Sequence, residues 1–297
     1  MPSILSHPAR RTTKTLFIGD SGTGKTGALA SLAASGQKLR IIDLDNGLDI
    51  LKNLLTDPAS TYAKQLASAK VELSEAVQYV TLTETMRETQ GRLIPAKATV
   101  WDRTVKLLSH WKDGGIDLGP VTSWGPDTTL VIDSLTMLST AALNFIQAMN
   151  GHLGAYQTAA GRAGASNENR REIGMAQGLI ESLLQMLYDD AVKCNVIVMS
   201  HIVYVDESGG VPTLPGENAV LRGYPSALGR ALSPKIPRYF NNVIQAKTTG
   251  SGSATRHRIY TMPQGAVDLK SSAPTRVKAE YPLETGLAEF FTAVRGE

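Results

Sequence analysis

Gly19-Asp20-Ser21-Gly22-Thr23-Gly24-Lys25-Thr26 follows the pattern G-x-x-x-x-G-K-[ST]. Ahead of it, Thr15-Leu16-Phe17-Ile18 is a short apolar run of strand type. Behind it, Gly27-Ala28-Leu29-Ala30-Ser31-Leu32-Ala33 reads as a helix. A strand, a glycine loop and a helix in that order are the context that turns the pattern into a phosphate site. The glycines let main-chain N–H groups of Gly19 to Gly27 close around an anion, and the helix aims its positive end at the same place. Lys25 would meet the β- and γ-phosphates, and the Thr26 hydroxyl would hold Mg²⁺.

The rest of the composition sets bounds. A chain of 297 residues suffices for one large α/β domain or two small ones, and 42% apolar residues are ample for a buried core. A formal net charge of only +3 does not announce a nucleic-acid binder, so any basic patch must be local. The single cysteine, Cys194, rules out an internal disulfide and a multi-cysteine zinc site. It reads as a small buried hydrophobe in a reducing compartment. No apolar run reaches the roughly 18 residues a membrane span requires, and Met1 to Arg11 lacks a signal-peptide core. The expectation is a cytoplasmic protein with no membrane partner, whose first eleven residues are a leader.

Further along, Leu39-Arg40-Ile41-Ile42-Asp43-Leu44-Asp45 is a second strand, and Asp43 and Asp45 share a face if the strand runs through both. Gly47 to Leu55 is a helix. Lys70-Val71-Glu72-Leu73 and Gln78 to Leu82 alternate weakly, as short strands would. Thr99 to Trp111 has helical spacing, ended by Asp113-Gly114-Gly115. Thr128-Thr129-Leu130-Val131-Ile132-Asp133-Ser134 is the clearest buried strand, closing on an acid and a small hydroxyl. With the phosphate loop upstream this is a Walker B pattern, in which Asp133 would hold the water shell of the same Mg²⁺.

Leu135 to Met149 continues as a helix. Residues 150–171 form a Gly-, Ala- and Asn-rich loop carrying Arg162, Arg170 and Arg171, which fits either a solvated connector or a contact to a phosphate backbone. A helix from Met175 to Ala191 feeds the buried strand Asn195 to His201, with His201 at its tip, where a polar group can sit against a γ-phosphate. Arg238 to Lys247 and Arg256 to Met262 read as the two strands of a terminal hairpin, and Tyr281 to Val294 as a short docked helix.

Three of these segments, in this order, resemble the RecA-like ATPase family. Gly19 to Thr26 matches its P-loop. Ile41-Ile42-Asp43-Leu44-Asp45, followed by Leu48-Asp49, resembles the strand ending in the catalytic acid of bacterial RecA. On that match Asp45 stands for the general-base glutamate, one methylene shorter. Leu130-Val131-Ile132-Asp133-Ser134 resembles the family's Walker B, and Met199-Ser200-His201 falls where RecA carries a polar γ-phosphate sensor. Residues 150–172 and 204–223 fall where the family has its two DNA-binding loops. Pro225 to Arg230 and Tyr260 to Lys270 look like compact RecA-like ATPases of bacteriophages, some of which act in single-strand annealing or recombination. The resemblance covers about residues 12–275.

It implies an α/β fold: a RecA-like P-loop NTPase core (12–275) with a mostly parallel central sheet flanked by helices, a C-terminal antiparallel hairpin, and a tail at 276–297. It implies an ATPase using ATP and Mg²⁺, with Lys25, Asp45, Asp133 and His201 as the catalytic set. The implied partner is single-stranded DNA, bound by Arg162, Arg170, Arg171 and Arg222. The implied assembly is a homo-oligomer, ring or filament, in which Arg256, Arg258 or Lys270 completes the neighbouring site. A single-strand-binding protein is a further implied partner, and a phage-encoded chain would work in the host cytoplasm. The alternative is a nucleotide-gated switch or oligomeric motor ATPase that does not act on DNA. A small-molecule kinase is disfavoured by the Asp-Ser pair after Walker B and the long run to residue 270.

Overall fold

The computed structural model describes residue 3 and residues 12–89, 91–154, 167–206 and 221–296. Eight strands form one sheet: β1 (Lys14–Ile18), β2 (Lys38–Asp43), β3 (Val77–Thr81), β4 (Thr128–Asp133), β5 (Asn195–Ser200), β6 (Asn242–Thr249), β7 (Arg256–Tyr260) and β8 (Glu280–Pro282). Their spatial order is β3-β2-β4-β5-β1-β6-β7-β8. Pairing is parallel from β3 across to β6 and antiparallel at β7 and β8. The main helices are α1 (Lys25–Ala34), α2 (Asp49–Thr56), α3 (Thr61–Ser68), α4 (Val100–Ser109), α5 (Leu135–Met149), α6 (Asn167–Tyr188) and α7 (Leu283–Arg295).

Parallel strands buried on both faces read as near-continuous apolar runs, as Leu130 to Ile132 and Val196 to Met199 do, and β4 and β5 are buried along their whole length. Alternation then divides the side chains between two cores. Leu16, Ile18, Leu130 and Ile132 face one, closed by α4, α5 and α6; Phe17, Val131, Ile197 and Ile244 face the other, closed by α1, α2 and α7. Helix α1 is apolar nearly all round, and it is buried nearly all round, between the sheet, α2 and α7. The expected α/β fold class, with a mostly parallel central sheet flanked by helices and an antiparallel C-terminal hairpin, is the one observed.

Several local expectations are corrected. β2 stops at Asp43, so Asp43 and Asp45 do not share a strand face. Residues 70–73 are no strand: Lys70 turns with φ of 54° and a helical turn follows at Leu73–Ala76. The helix read to Trp111 ends at Ser109, and the buried Trp111 instead opens a hairpin whose turn is Gly114-Gly115. Here burial overrides helical spacing, because the Trp111 ring packs on Trp124 at 5.6 Å between centroids. α6 begins at Asn167, so Arg170 and Arg171 stand on a helix rather than in a loop. The short docked helix read at Tyr281 to Val294 is observed as α7, packed on α1, and the edge strand β8 precedes it.

Candidate active site

Sheet register places the site. Ile18 pairs with Ser200, Ile132 with Val198, and Asp43 with Asp133, so β1, β5, β4 and β2 end at one edge. The phosphate loop leaves β1 there, His201 follows β5, Asp133 ends β4, and Asp45 lies two residues past β2. In an open parallel sheet this is where the chain crosses away on both sides and a crevice opens. One cavity of about 1000 Å³ fills the crevice, and Lys25, Thr26, Asp45, Asp133 and His201 all line it.

The loop has the backbone of an anion cradle. Gly22 and Gly24 take φ of 76° and 89°, and Gly24 caps α1 in the left-handed region. A Cβ at Gly24 would also meet Leu283 Cδ2, the end of a side chain that would have to shift. Lys25 Nζ donates to the Gly19 carbonyl at 2.7 Å and the Asp20 carbonyl at 3.0 Å. Burial lowers the Lys25 ammonium below the ordinary lysine range, opposed by the nearby Asp133 and Asp45 carboxylates.

The Thr26 hydroxyl donates to Asp133 Oδ2 at 2.7 Å. Burial pushes the Asp133 carboxyl up to about 6, against the Thr26 hydrogen bond, with Asp45 and Asp43 adding to the rise. A buried acid beside a hydroxyl oxygen, at the mouth of a phosphate cradle, is a hard-oxygen pair suited to Mg²⁺, which keeps several waters and takes few protein ligands. No group of three or more His, Cys, Asp or Glu side chains able to hold a metal occurs among the described residues.

Asp45 sits opposite. Ser134 Oγ donates to its Oδ1 at 2.8 Å, and His201 Nε2 lies 3.5 Å from its Oδ2. Asp43 turns elsewhere, accepting from the Thr81 hydroxyl at 3.0 Å and the Gly47 amide at 3.3 Å.

The basic residues are more dispersed. Arg162 lies outside the described residues. Arg170 and Arg171 are exposed on the first turns of α6, next to Glu168 and the buried Glu172. Arg222 is exposed on the hairpin of Ile202–Asp206 and Leu221–Pro225, ion-paired with Asp268. Arg256 pairs with Thr249 at the site end of β6, whereas Arg258 faces Glu280 at 3.7 Å. Lys270 bridges Val243, level with Leu16, and so lies away from that end.

Sequence reading missed the far wall of the cavity. Tyr62 lines it and donates its hydroxyl to the Glu284 carbonyl at 2.6 Å, across 222 residues of chain. Leu283 and His257 line it too, the latter bonded to the Thr248 hydroxyl at 3.1 Å. No local pattern marks such partners. Ser134 was visible as a small hydroxyl after the acid, without its target.

Fold and site together define an α/β core whose mostly parallel sheet carries a glycine-rich loop between β1 and α1. No protein-family model and no curated protein matches the chain. Among solved structures it is similar to the RadB recombinase, with 14% identity over 85% of this chain and 84% of that one, at a TM-score of 0.39. It is also similar to a KaiC-like protein from Pyrococcus horikoshii OT3, with 12% identity over 91% and 84% and a TM-score of 0.41. A third is the flagellar accessory protein FlaH from Methanocaldococcus jannaschii, with 12% identity over 92% and 87% and a TM-score of 0.40. No helix among the described residues is long and apolar enough to cross a membrane.

Proposed function

We propose that this protein hydrolyses ATP to ADP and phosphate with Mg²⁺, in a cycle coupled to single-stranded DNA as in phage-type recombination or strand annealing. The observation that supports it is the convergence of Lys25, the Thr26–Asp133 pair and the Asp45–His201 pair on one cavity. Thr26, and Asp133 through water, would hold Mg²⁺, whose charge would neutralise the phosphate oxygens. Lys25 and the loop amides stabilise charge on the transferred phosphoryl group. Asp45 orients a water and takes its proton as the new O–P bond forms and the bond from the γ-phosphorus to the ADP oxygen breaks. His201, beside Asp45, contacts the γ-phosphate and marks its loss. The Arg170, Arg171 and Arg222 side chains contact DNA phosphates, and Arg256 completes the site of a neighbouring copy.

A second reading, a nucleotide-gated switch or motor that does not act on DNA, is favoured by one observation. Arg222 is already ion-paired with Asp268, so its charge is compensated within the chain. ATP turnover with and without single-stranded DNA, at two salt concentrations, separates the two. A DNA-stimulated rate that fades with salt supports recombination. A rate indifferent to DNA supports the switch or motor.

A further inference from the structure

We infer that Ser134 is a positioning residue for the hydrolytic step: its hydroxyl, with the main-chain carbonyl of Asp133, sets where the Asp45 carboxylate stands. This rests on the ATPase reading above. Ser134 occupies the N-cap of α5, where a serine ordinarily turns its hydroxyl back onto a free N–H of the first turn. It makes no such bond. Fully buried, it gives its hydrogen bond to Asp45 Oδ1 instead. The residue that leads α5 gives its hydroxyl to a carboxylate in the segment past β2 instead of to the helix's own first turn.

The backbone works in the same direction. Past the end of β2, the amides of Leu44 and Asp45 both donate to the Asp133 carbonyl, at 2.5 and 3.3 Å. That hooks the segment after β2 onto the tip of β4. An aspartate reaches a shorter distance than a glutamate, and this hook carries its backbone toward the site. Torsion about the bond to a carboxylate is broad and only two-fold, so an unheld Asp45 would sample many orientations. With Oδ1 held by Ser134, Oδ2 is the oxygen presented toward His201 on the cavity wall.

The adjacent pair Asp133-Ser134 thereby has two separate duties. The Asp133 carboxylate serves Thr26 and the cation. The Asp133 carbonyl and the Ser134 hydroxyl serve Asp45. The distance between the cation side and the base side of the reaction is then set by one peptide unit rather than by two independent side chains. Geometry of this kind matters because a misplacement of about 1 Å can lower a rate roughly hundredfold.

The test is a double-mutant cycle on ATP turnover in the full chain, with Lys25→Ala as the control. Ser134→Ala should lower kcat roughly ten- to hundredfold while the KM for ATP stays within about twofold. In an Asp45→Asn background the same change should lower the residual single-turnover rate no further, because Ser134 acts through Asp45. Ser134→Cys, close in volume and a weaker donor, should fall between wild type and Ser134→Ala, and serves if the alanine variant does not fold. Equal losses in both backgrounds, a raised KM with unchanged kcat, or wild-type turnover in Ser134→Ala would overturn the inference. Turnover in wild type that is lost in Lys25→Ala keeps the ATPase reading intact whichever way Ser134 falls. A wild-type protein without turnover overturns both.

Discussion

The phosphate end of the molecule and its arginine-bearing outer surface are built by different means. At the phosphate end, Asp133, Asp45, His201 and the loop arrive together because four parallel strands in register end at one edge. Their side chains are then locked by short hydrogen bonds, Thr26 to Asp133 and Ser134 to Asp45. On the outer surface, Arg170 and Arg171 ride a helix start, Arg222 a hairpin and Arg256 the outer strand β7. No common strand edge brings them together, and Arg222 and Arg258 are matched by acids of the same chain. Register is a rigid device for gathering a few groups to a point. Exposed long side chains on separate elements suit an extended, salt-sensitive contact, whose energy is spread over many weak terms.

That contrast is broken most directly at Lys25. Lys25→Ala should reduce ATP turnover by roughly 10²- to 10³-fold, with an unchanged circular dichroism spectrum, since a desolvated ammonium is removed and the fold is held elsewhere. A variant that hydrolyses at the wild-type rate would remove the phosphate end from the account.

Asp133 gives a pH signature. Its folded carboxyl titrates at about 6, above the unfolded value near 3.9, so the native state binds the extra proton between those values. In the metal-free protein its contribution is fully present below about pH 4 and is lost as pH rises through about 6. The midpoint of thermal or urea unfolding, followed from pH 4 to 7, should carry that descending component. Asp133→Asn should flatten it, and Mg²⁺ with ATP should offset it in wild type alone. A descent that persists unchanged in Asp133→Asn would assign it to another group.

Gly24→Ala tests the seam between the loop and α7. The φ of 89° alone costs an alanine about 1–2 kcal/mol, and the new Cβ also meets Leu283. The variant should lose more than that in chemical unfolding. Adding Leu283→Ala, with its own loss measured separately, should recover the steric part and leave the conformational part. Strict additivity of the two changes would mean that the seam is looser than it is drawn here.

The smallest effect is expected at the outer surface. Arg222→Ala should change unfolding free energy by no more than about 0.5 kcal/mol, because its ion pair with Asp268 is exposed. If DNA binds there, the dependence of log affinity on log salt should flatten by about one. An affinity indifferent to Arg222, Arg170 and Arg171 together would shift the balance toward the switch or motor reading.

Much of the phosphate end was legible in the sequence, for a physical reason. Thr128 to Asp133 reads as a strand buried on both faces, since two β-branched threonines and the apolar Leu130-Val131-Ile132 run straight into an acid. The loop pattern fixes its own backbone through its glycines. Asp45 was legible as an acid past a strand, but not its pairing with Ser134, because hydrogen bonds between strand tips depend on register that one sequence does not print. Tyr62 and Leu283 were illegible as cavity walls, since both are ordinary residues brought in by tertiary packing. Trp111 misled because a large aromatic at helical spacing was buried by a hairpin instead. The arginines are named easily and placed poorly, because surface charge is constrained by little besides solvation.

The central claim is that loop, acids and histidine serve one triphosphate. A structure determined with Mg²⁺ and an ATP analogue whose β–γ bridge resists hydrolysis tests it most directly. The account predicts phosphate oxygens within hydrogen-bond reach, about 3 Å, of Lys25 Nζ, the cation between Thr26 and the water shell of Asp133, and Asp45 and His201 facing the γ-phosphate. A nucleotide seated outside this cavity, or a γ-phosphate turned away from Asp45 and His201, would contradict it.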